Sequence, residues 1–474
     1  MTDQRRPNIL LIMSDEHNPR MTGYAGHDLA KTPNIDRLAE RGRVFSDAYC
    51  TSPICVPARA SLATGQYVHE MGLWDNSAPY AGDPPSWGHY LRDEGYRVTT
   101  IGKLHYRSAA DDTGMHEQRL AMHVHGLGDI KGVARRSRGE VGPAAPVRNN
   151  LLEAGPGESD YTRFDRAVAD ETAEYLGSPP EQPWFLMASF VTPHFPLLAP
   201  QEFYDLYTDE EMTPRQDLDP AWDHPAIHVF RHLYEHTDPL TEAQHRRALR
   251  AYLALCSFTD SLVGRVADAL EASGQADNTL VVYSSDHGDS AGAHGLWFKH
   301  MMNEESVGVP LILAGPGIDH EVVDTPVSQI DLFATFMDWT SVDPGPVVQH
   351  ARSLLDVDAL VAEDRPVMAE YHANGTIDGI FMLRDGRYKY IEYIGERPQL
   401  FDLDGDPFEH DDLAGRSEYA ELVVECARRL REICDPDEVD AAAKADQDRR
   451  VAEVGGFDAA LEYAINFTPT PRVD

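Results

Sequence analysis

Short apolar runs alternate along this chain with longer segments in which apolar residues recur every three or four positions. The clearest apolar runs are 9–13, 98–101, 184–190 and 279–283. Nearly continuous runs of this length are typical of strands that are buried on both faces of a parallel sheet. The segment 241–272 has helical periodicity and follows Thr241, a good capping residue. This alternation predicts an α/β fold with a large, mostly parallel central sheet sandwiched by helices.

The pattern changes after about residue 345, where short alternating segments replace the long apolar runs. Segments 367–371, 379–384, 388–393 and 400–403, joined by turns such as Asp385-Gly386, are typical of a small antiparallel sheet. A helix over 418–433 would pack on that sheet. We therefore expect a catalytic domain over 1–345, a C-terminal subdomain over 346–434 and an acidic tail over 435–474.

Residues 106–160 differ from the rest of the first domain because they are rich in Gly, Pro and Arg. Long connections of this kind in a compact domain are usually functional. We expect an insertion that covers the active site and helps to select the substrate. The acidic tail is expected to wrap onto its own subunit or onto a neighbouring one.

Polar side chains directly follow two of the predicted strands. Asp15 and Glu16 come after the first, and Asp286 and His287 come after the strand at 279–284. Two adjacent acids can simply form a polar loop, but ligands of open α/β sheets bind outside the carboxyl ends of the strands. Paired with Asp286 and His287, the two acids are therefore expected to form a metal site. Carboxylate oxygens favour calcium, with magnesium possible, whereas the single imidazole leans slightly toward manganese.

A Cys and an Arg lie together at the predicted start of a short helix, in Cys55-Val56-Pro57-Ala58-Arg59. Pro57 predicts a helix that begins near that residue, and Gly65 predicts its end. A helix N-terminus beside a guanidinium favours an anion close to the Cys. Two alternatives remain open: Cys55 as a small buried hydrophobe, and a redox pair with Cys50.

This motif, with Thr64-Gly65 after it, resembles the signature of the type I sulfatases, Cys-x-Pro-x-Arg followed by Thr-Gly. In that family the Cys is oxidised to formylglycine, whose hydrate is the nucleophile. The resemblance implies an alkaline phosphatase-like fold and hydrolysis of sulfate esters. It also implies a formylglycine-generating enzyme as partner and one divalent metal. The implied metal ligands are Asp15, Glu16, Asp286, His287 and the modified Cys55.

Three more segments share the resemblance: the strand end with Lys103 and His105, the strand end with His194, and Gly292 to Lys299. The sequence of the last segment is closest to the choline sulfatase and phosphonate monoester hydrolase branch. The resemblance implies that Lys103 and Lys299 hold the sulfate oxygens, while Arg59 and the metal polarise the nucleophile. His194 or Lys299 would protonate the leaving alcohol. His105 would take a proton from the second hydroxyl, so that the aldehyde re-forms and sulfate leaves.

The leaving group stays open at this point. Aryl, alkyl and carbohydrate sulfates all fit, and a phosphonate monoester or phosphodiester hydrolase of the same fold is the main alternative. A choline ester would require an aromatic cage, for which Trp74 and Trp87 are the candidates. A binding module without catalysis would require Cys55 to remain a thiol.

Composition limits the setting in which the protein works. Its formal net charge of −38 disfavours nucleic acid and anionic membranes as partners. The five scattered cysteines indicate a reducing compartment rather than a disulfide framework. We find no secretory signal in the first residues and no run of membrane-spanning length. We therefore expect a cytoplasmic enzyme that forms a homodimer or homotetramer.

Overall fold

The computed structural model describes residues 6–141, 145–213, 220–231, 240–345, 349–463 and 469–471. The strands are, in chain order, β1 (Asn8–Asp15), β2 (Arg43–Phe45), β3 (Ala48–Tyr49), β4 (Arg97–Lys103), β5 (Glu117–Met122), β6 (Gly155–Pro156), β7 (Trp184–Pro193), β8 (Leu198–Ala199), β9 (Thr279–Ser285), β10 (Leu311–Ala314), β11 (Glu321–Val323), β12 (Val327–Ser328), β13 (Val367–Tyr371), β14 (Ile380–Asp385), β15 (Tyr388–Tyr393) and β16 (Gln399–Asp402).

The α-helices are, in chain order, α1 (Pro33–Arg41), α2 (Cys55–Thr64), α3 (Val68–Met71), α4 (Trp87–Asp93), α5 (Ile130–Ser137), α6 (Ala145–Leu152), α7 (Asp160–Gly177), α8 (Gln201–Tyr204), α9 (Pro225–Arg231), α10 (Glu242–Ala272), α11 (Glu304–Val307), α12 (Asp331–Thr340), α13 (Val357–Ala362), α14 (Ala420–Ile433), α15 (Pro436–Glu453) and α16 (Phe457–Glu462). None of the helices in the described part of the chain has the length and apolar character that a membrane span requires.

Within the described residues the central sheet has eight strands in the order β11-β2-β10-β9-β1-β7-β4-β5. Strand β1 pairs in parallel with both β7 and β9, and β4 pairs in parallel with β7 and β5. Strand β10 runs antiparallel to β9 and to β2. The predicted α/β fold with a mostly parallel central sheet is therefore confirmed.

Strand β1 shows why the sheet is covered on both faces. Ile9, Leu11 and Met13 belong to the hydrophobic core on one face, and Leu10 and Ile12 belong to the core on the other. All five side chains are buried, because successive residues of a strand point to opposite faces. A strand in this position needs the uninterrupted apolar run that the sequence contains.

The C-terminal subdomain is a four-stranded antiparallel sheet in the order β13-β14-β15-β16, as predicted. Helix α14 packs on it through Cys426 and Leu430, which share a core with Phe381 and Leu383. Buried ion pairs join this sheet to the large domain, among them Lys389 Nζ with the carboxylate of Glu304 at 2.8 Å.

The segment 106–160 is more than a covering loop, because β5 forms the edge of the central sheet beside β4. Its helix α5 packs against α15 and α16 of the tail, and Arg136 of α5 forms a buried ion pair of 2.9 Å with Asp440 of α15. The tail helices thus pack on their own chain. The domain bounds remain predictions, and residues 346–348, 464–468 and 472–474 lie outside the described ranges.

Gly102 gives a test of how closely β4 and β7 approach. Its φ is +103°, and an added Cβ would lie 2.1 Å from the carbonyl oxygen of Ser189. We expect Gly102→Ala to lower the free energy of unfolding by at least about 2 kcal/mol more than Gly95→Ala. Gly95 is the matched control, because its φ is +82° and nothing lies within 4 Å of the added Cβ. Equal losses in urea unfolding would contradict the close approach.

Candidate active site

The carboxyl ends of β1 and β9 meet the start of α2 at one buried point. Ligand atoms of Asp15, Cys55, Asp286 and His287 all lie within 4.8 Å of one another, and all four side chains are buried. Parallel strands end at the same edge of a sheet, so residues distant in sequence become neighbours. Three of the four predicted strand-end ligands therefore lie together with the Cys.

Helix α2 begins at Cys55 itself, so the predicted start near Pro57 is wrong by two residues. Pro57 lies in the first turn, where its missing N–H removes no helical hydrogen bond. The residue before the helix, Ile54, has no side chain that can cap it. The helix ends as predicted at Gly65, which has a φ of 69°. Cys55 thus lies in the first turn, with the helix dipole directed toward it.

Arg59 bridges the two strand ends from one turn further along α2. Its Nη2 donates to Asp15 Oδ2 at 2.9 Å and its Nε to Asp286 Oδ2 at 2.7 Å. Its Nη1 donates to the carbonyl of Lys103 and to the Ser189 hydroxyl. The guanidinium therefore fixes the orientation of two carboxylates, which only the planar fork of an arginine can do.

Two ammonium groups converge on the Cys55 sulfur. Lys299 Nζ lies 3.5 Å and Lys103 Nζ 4.0 Å from Sγ. Lys103 also pairs with Asp15 Oδ2 at 2.6 Å, and both lysines are buried. Burial alone would lower the pKa of each, but the neighbouring charges outweigh it and raise both values. Both side chains are held as cations beside the Cys55 sulfur.

Glu16 is the fourth predicted strand-end ligand, and its carboxylate also contacts two side chains outside the predicted metal set. Its Oε2 accepts a hydrogen bond from Lys299 Nζ at 3.0 Å and lies 3.3 Å from Nε2 of His194. Its Oε1 is buried and has no hydrogen-bond partner among the described residues. Its backbone φ is 65°, a strained value for a side chain of this size. Burial raises the pKa of Glu16 to about 8.

The two predicted imidazoles lie on either side of this cluster. Nδ1 of His194 donates to the carbonyl of Phe195 at 2.6 Å, so Nε2 is directed toward Glu16. Neither ring nitrogen of His105 has a partner among the described residues. Burial, with the charge of Lys299 beside His194 and of Lys103 beside His105, holds the pKa of both well below the usual range. Both rings are therefore neutral at neutral pH.

The thiol itself is in an unfavourable place for ionisation. Burial, followed by the charge of Asp15, raises the pKa of Cys55 to about 12. Burial would also raise the pKa of Asp15, but the charges of Lys103 and Arg59 hold it well below its usual range. The site therefore keeps its carboxylate ionised and its sulfur protonated.

His287 is oriented by its backbone surroundings. Its Nδ1 lies 3.0 Å from the carbonyl of Gly288 and donates to it. Nε2 is then left facing Cys55 Sγ at 3.3 Å and Asp286 Oδ1 at 3.7 Å. A backbone carbonyl that fixes the tautomer in this way is typical of a metal-binding histidine.

Sequence reasoning missed several neighbours of the site. Phe195 packs on His194 with ring centroids 4.1 Å apart and on Phe298 at 4.8 Å, and Tyr161 meets His194 edge-on. The only signal of these contacts in the sequence was that Phe195 and Phe298 directly adjoin His194 and Lys299. The aromatic candidates named above do not face the site: Trp87 is buried on Phe185 at 4.1 Å, and Trp74 packs on His372.

The redox alternative for Cys55 is not supported, since Cys50 and Cys55 are both free and buried. Burial also raises the pKa of Cys50 well above its usual value. A thiol in that state is a poor partner for exchange, because the thiolate is the reactive form.

The buried cations beside the Cys55 sulfur, at the carboxyl ends of parallel strands, suit an enzyme that acts on an anionic substrate. Residues 7–342 match the sulfatase family, and residues 292–435 match the family described as N-sulphoglucosamine sulphohydrolase, C-terminal. The chain therefore belongs to the sulfatase family and is a hydrolase of sulfuric esters.

Two relatives and two solved structures illustrate the similarity. Choline-sulfatase of Rhizobium meliloti (strain 1021) is 33% identical, over 94% of this chain and 90% of its own length. Arylsulfatase K of Bos taurus is 29% identical, over 92% and 83%. The phosphonate monoester hydrolase of Agrobacterium radiobacter superposes with a TM-score of 0.73 at 22% identity, over 90% and 95%. A protein in complex with its substrate D-glucosamine-2-N,6-O-disulfate superposes with a TM-score of 0.73 at 21% identity. The match covers 92% of this chain and 100% of that protein.

Arg59 offers a test of the carboxylate bridge. Arg59→Lys keeps the charge but loses the fork, so we expect the free energy of unfolding to fall by about 2 kcal/mol or more. The control is Arg37→Lys, because Arg37 forms an exposed pair with Asp268 and should change stability by less than about 0.5 kcal/mol. Urea unfolding measures the free energy of unfolding of both variants. A similarly small decrease in the two would contradict the bridging role of Arg59.

Proposed function

We propose that this sulfatase uses a hydrated formylglycine, formed from Cys55 by a formylglycine-generating enzyme, as its nucleophile beside one divalent metal. The observation that carries the proposal is the convergence of Lys299 Nζ, His287 Nε2 and Asp15 Oδ1 on Cys55 Sγ, at 3.5, 3.3 and 3.6 Å. The sulfur marks the position that the reacting oxygen of the modified side chain would occupy.

The state of the thiol supports modification of Cys55. With its pKa raised to about 12, the unmodified sulfur would be almost wholly protonated at neutral pH and therefore a weak nucleophile. The hydrated aldehyde would supply a hydroxyl oxygen in its place. Arg59 and Lys103 fix the strand-end carboxylate beside it, so the hydroxyl would enter a preorganised pocket.

The residues around Cys55 fit a divalent metal. Asp15, Asp286 and His287 would hold it together with the modified Cys55, and Glu16 would join them through Oε1, which is buried without a partner. Three carboxylates favour Ca²⁺, with Mn²⁺ or Mg²⁺ as alternatives. When bound, the ion would supply positive charge that favours ionisation of the hydroxyl and stabilises the sulfate oxygens.

The remaining residues divide the proton transfers and the anion binding. Lys103 and Lys299 would hold the sulfate oxygens as they gain charge. Lys299 Nζ, as a cation, is the better placed donor to the leaving oxygen. His194 is neutral, and its Nδ1 proton is already donated to the carbonyl of Phe195. His105, whose ring nitrogens have no partner in the described chain, would accept the proton of the second hydroxyl.

The substrate we propose is a small-molecule or carbohydrate sulfate ester. Phe195 and Phe298 form an apolar wall beside Lys299, whose Nζ lies 5.4 Å from the Phe195 ring. Such a wall suits an organic leaving group such as an aryl or alkyl alcohol. Likeness to phosphonate monoester hydrolases at 22% identity extends to the fold alone, so phosphonates and diesters are outcomes of the test rather than a second proposal.

The first test compares turnover of an aryl sulfate, a phosphodiester and a phosphonate monoester by one preparation. We expect the sulfate to be hydrolysed best, and we expect Cys55→Ala to abolish turnover while the circular dichroism spectrum is unchanged. In parallel, the peptide containing Cys55 should be lighter by about 18 Da than the cysteine form, by atom counting for oxidation of the thiol to an aldehyde. Full activity of Cys55→Ala would contradict the mechanism.

The second test removes the metal. Dialysis against a chelator should abolish turnover, and Ca²⁺ should restore it and raise the melting temperature of the wild-type protein. Asp286→Asn should weaken this Ca²⁺-dependent shift by about tenfold or more in ion concentration. Asp268→Asn, in the exposed pair with Arg37, is the control. If none of Ca²⁺, Mn²⁺ and Mg²⁺ changed the melting temperature of the wild-type protein, the metal assignment would be overturned.

A further inference from the structure

Helix α15 of the tail has a buried stripe that is partly polar. Its buried positions are Pro436, Asp440, Ala443, Gln447 and Val451. Their spacing of three or four residues places them on one face of the helix. Buried polar side chains on such a face must find partners inside the protein, so the partners show what the helix is built to contact.

Gln447 contacts three separate segments at once. Its Nε2 donates to Asp75 Oδ2 at 2.9 Å and lies 2.7 Å from the carbonyl of His372. Its Oε1 accepts a hydrogen bond from Arg136 of α5. Gln447 is wholly buried, and it therefore ties the tail to the segment 106–160, to the C-terminal subdomain and to the loop after α3.

Asp75 is the residue of this loop that the tail helix contacts. Arg450 donates to both of its carboxylate oxygens, at 3.0 and 2.6 Å. Although burial alone would raise the pKa of Asp75, Arg450 and Gln447 hold it below its usual value. Asp75 Oδ1 also accepts from the amide of Ser77 at 2.9 Å, which fixes the turn on both sides of Asn76.

Residues 127–128 of the segment 106–160 also contact the backbone around Asn76. An added Cβ at Gly128 would lie 1.9 Å from the Asn76 carbonyl oxygen, so the backbone of the segment 106–160 rests directly on it. The Ser77 hydroxyl donates to the carbonyl of Leu127 at 2.6 Å. The tail helix and residues 127–128 thus fix the backbone on either side of the Asn76 side chain.

Asn76 Oδ1 accepts a hydrogen bond of 3.2 Å from the amide of Val56, the residue directly after Cys55. The first amides of a helix have no acceptor within the helix and need one from elsewhere. Because Ile54 provides none, Asn76 serves as the cap from twenty positions away in the chain. The orientation of the first turn of α2, and of Cys55 in it, then depends on Asn76.

We propose that Asn76, held by Asp75, Gln447 and Arg450, is a positioning residue for the nucleophile, so that the tail helix is part of the catalytic apparatus. The inference rests on the proposed function, because it assumes that residue 55 carries the reacting atom. Loss of the cap would let the first turn of α2 open and would displace that atom relative to Lys299 and His287.

The test compares Asn76→Ala, Asn76→Asp, Arg450→Ala and Arg449→Ala, with turnover corrected for the converted fraction of residue 55. Asn76→Ala and Arg450→Ala should lower kcat by about tenfold with KM changed less than about twofold, as expected for a misplaced reacting group. Asn76→Asp keeps the acceptor and should retain most of kcat. Arg449→Ala should match the wild-type protein, because Arg449 is 58% exposed and pairs with Glu453 and Asp446.

Hydrogen exchange separates this inference from the proposed function. The amide of Val56 should exchange faster in Asn76→Ala and Arg450→Ala than in the wild-type protein, while amides of β1 keep their rates. Unchanged exchange and kcat in both variants would overturn the inference, and faster exchange throughout β1 would indicate a structural role alone. A wild-type protein that is converted but inactive would contradict the proposed function, and Val56 exchange would still decide the cap.

Discussion

The buried bridge from Arg59 to Asp15 and Asp286 is the constraint on which the site depends. It links α2 to the ends of β1 and β9 with charge-assisted bonds of 2.7 and 2.9 Å. Two carboxylates at such close quarters repel each other, and removing either from water is costly unless a cation stays between them. The orientation of helix α2, which carries Cys55, and that of the Asp15 and Asp286 carboxylates are therefore set by the same side chain.

The fold and the main site residues were predictable because their signals are local. A run such as Ile9 to Met13 belongs to a strand covered on both faces, and parallel strand ends must meet at one edge. The Cys-x-Pro-x-Arg spacing is also local, since Cys55 and Arg59 are one helical turn apart. These features need no knowledge of distant contacts, and the predicted central sheet, small antiparallel sheet and family are all confirmed.

What could not be predicted depends on contacts between distant segments. Nothing near Asn76 in the sequence indicates that its oxygen meets the Val56 amide, and nothing near Gln447 indicates its three partners. Glu16 lies in the predicted cluster, yet its left-handed backbone turns the side chain toward Lys299 and His194. Backbone strain of this kind concentrates at functional sites, and His105, Phe298 and His300 share it.

The cations buried at Cys55 sit inside a protein whose formal net charge is −38. A sulfate ester with one charge must enter through that negative field, and inorganic sulfate with two charges must leave through it. The same potential acts about twice as strongly on the departing dianion, because electrostatic energy scales with charge. The acidic exterior therefore opposes entry of the substrate less than it favours departure of the product, so the surface charge assists product release.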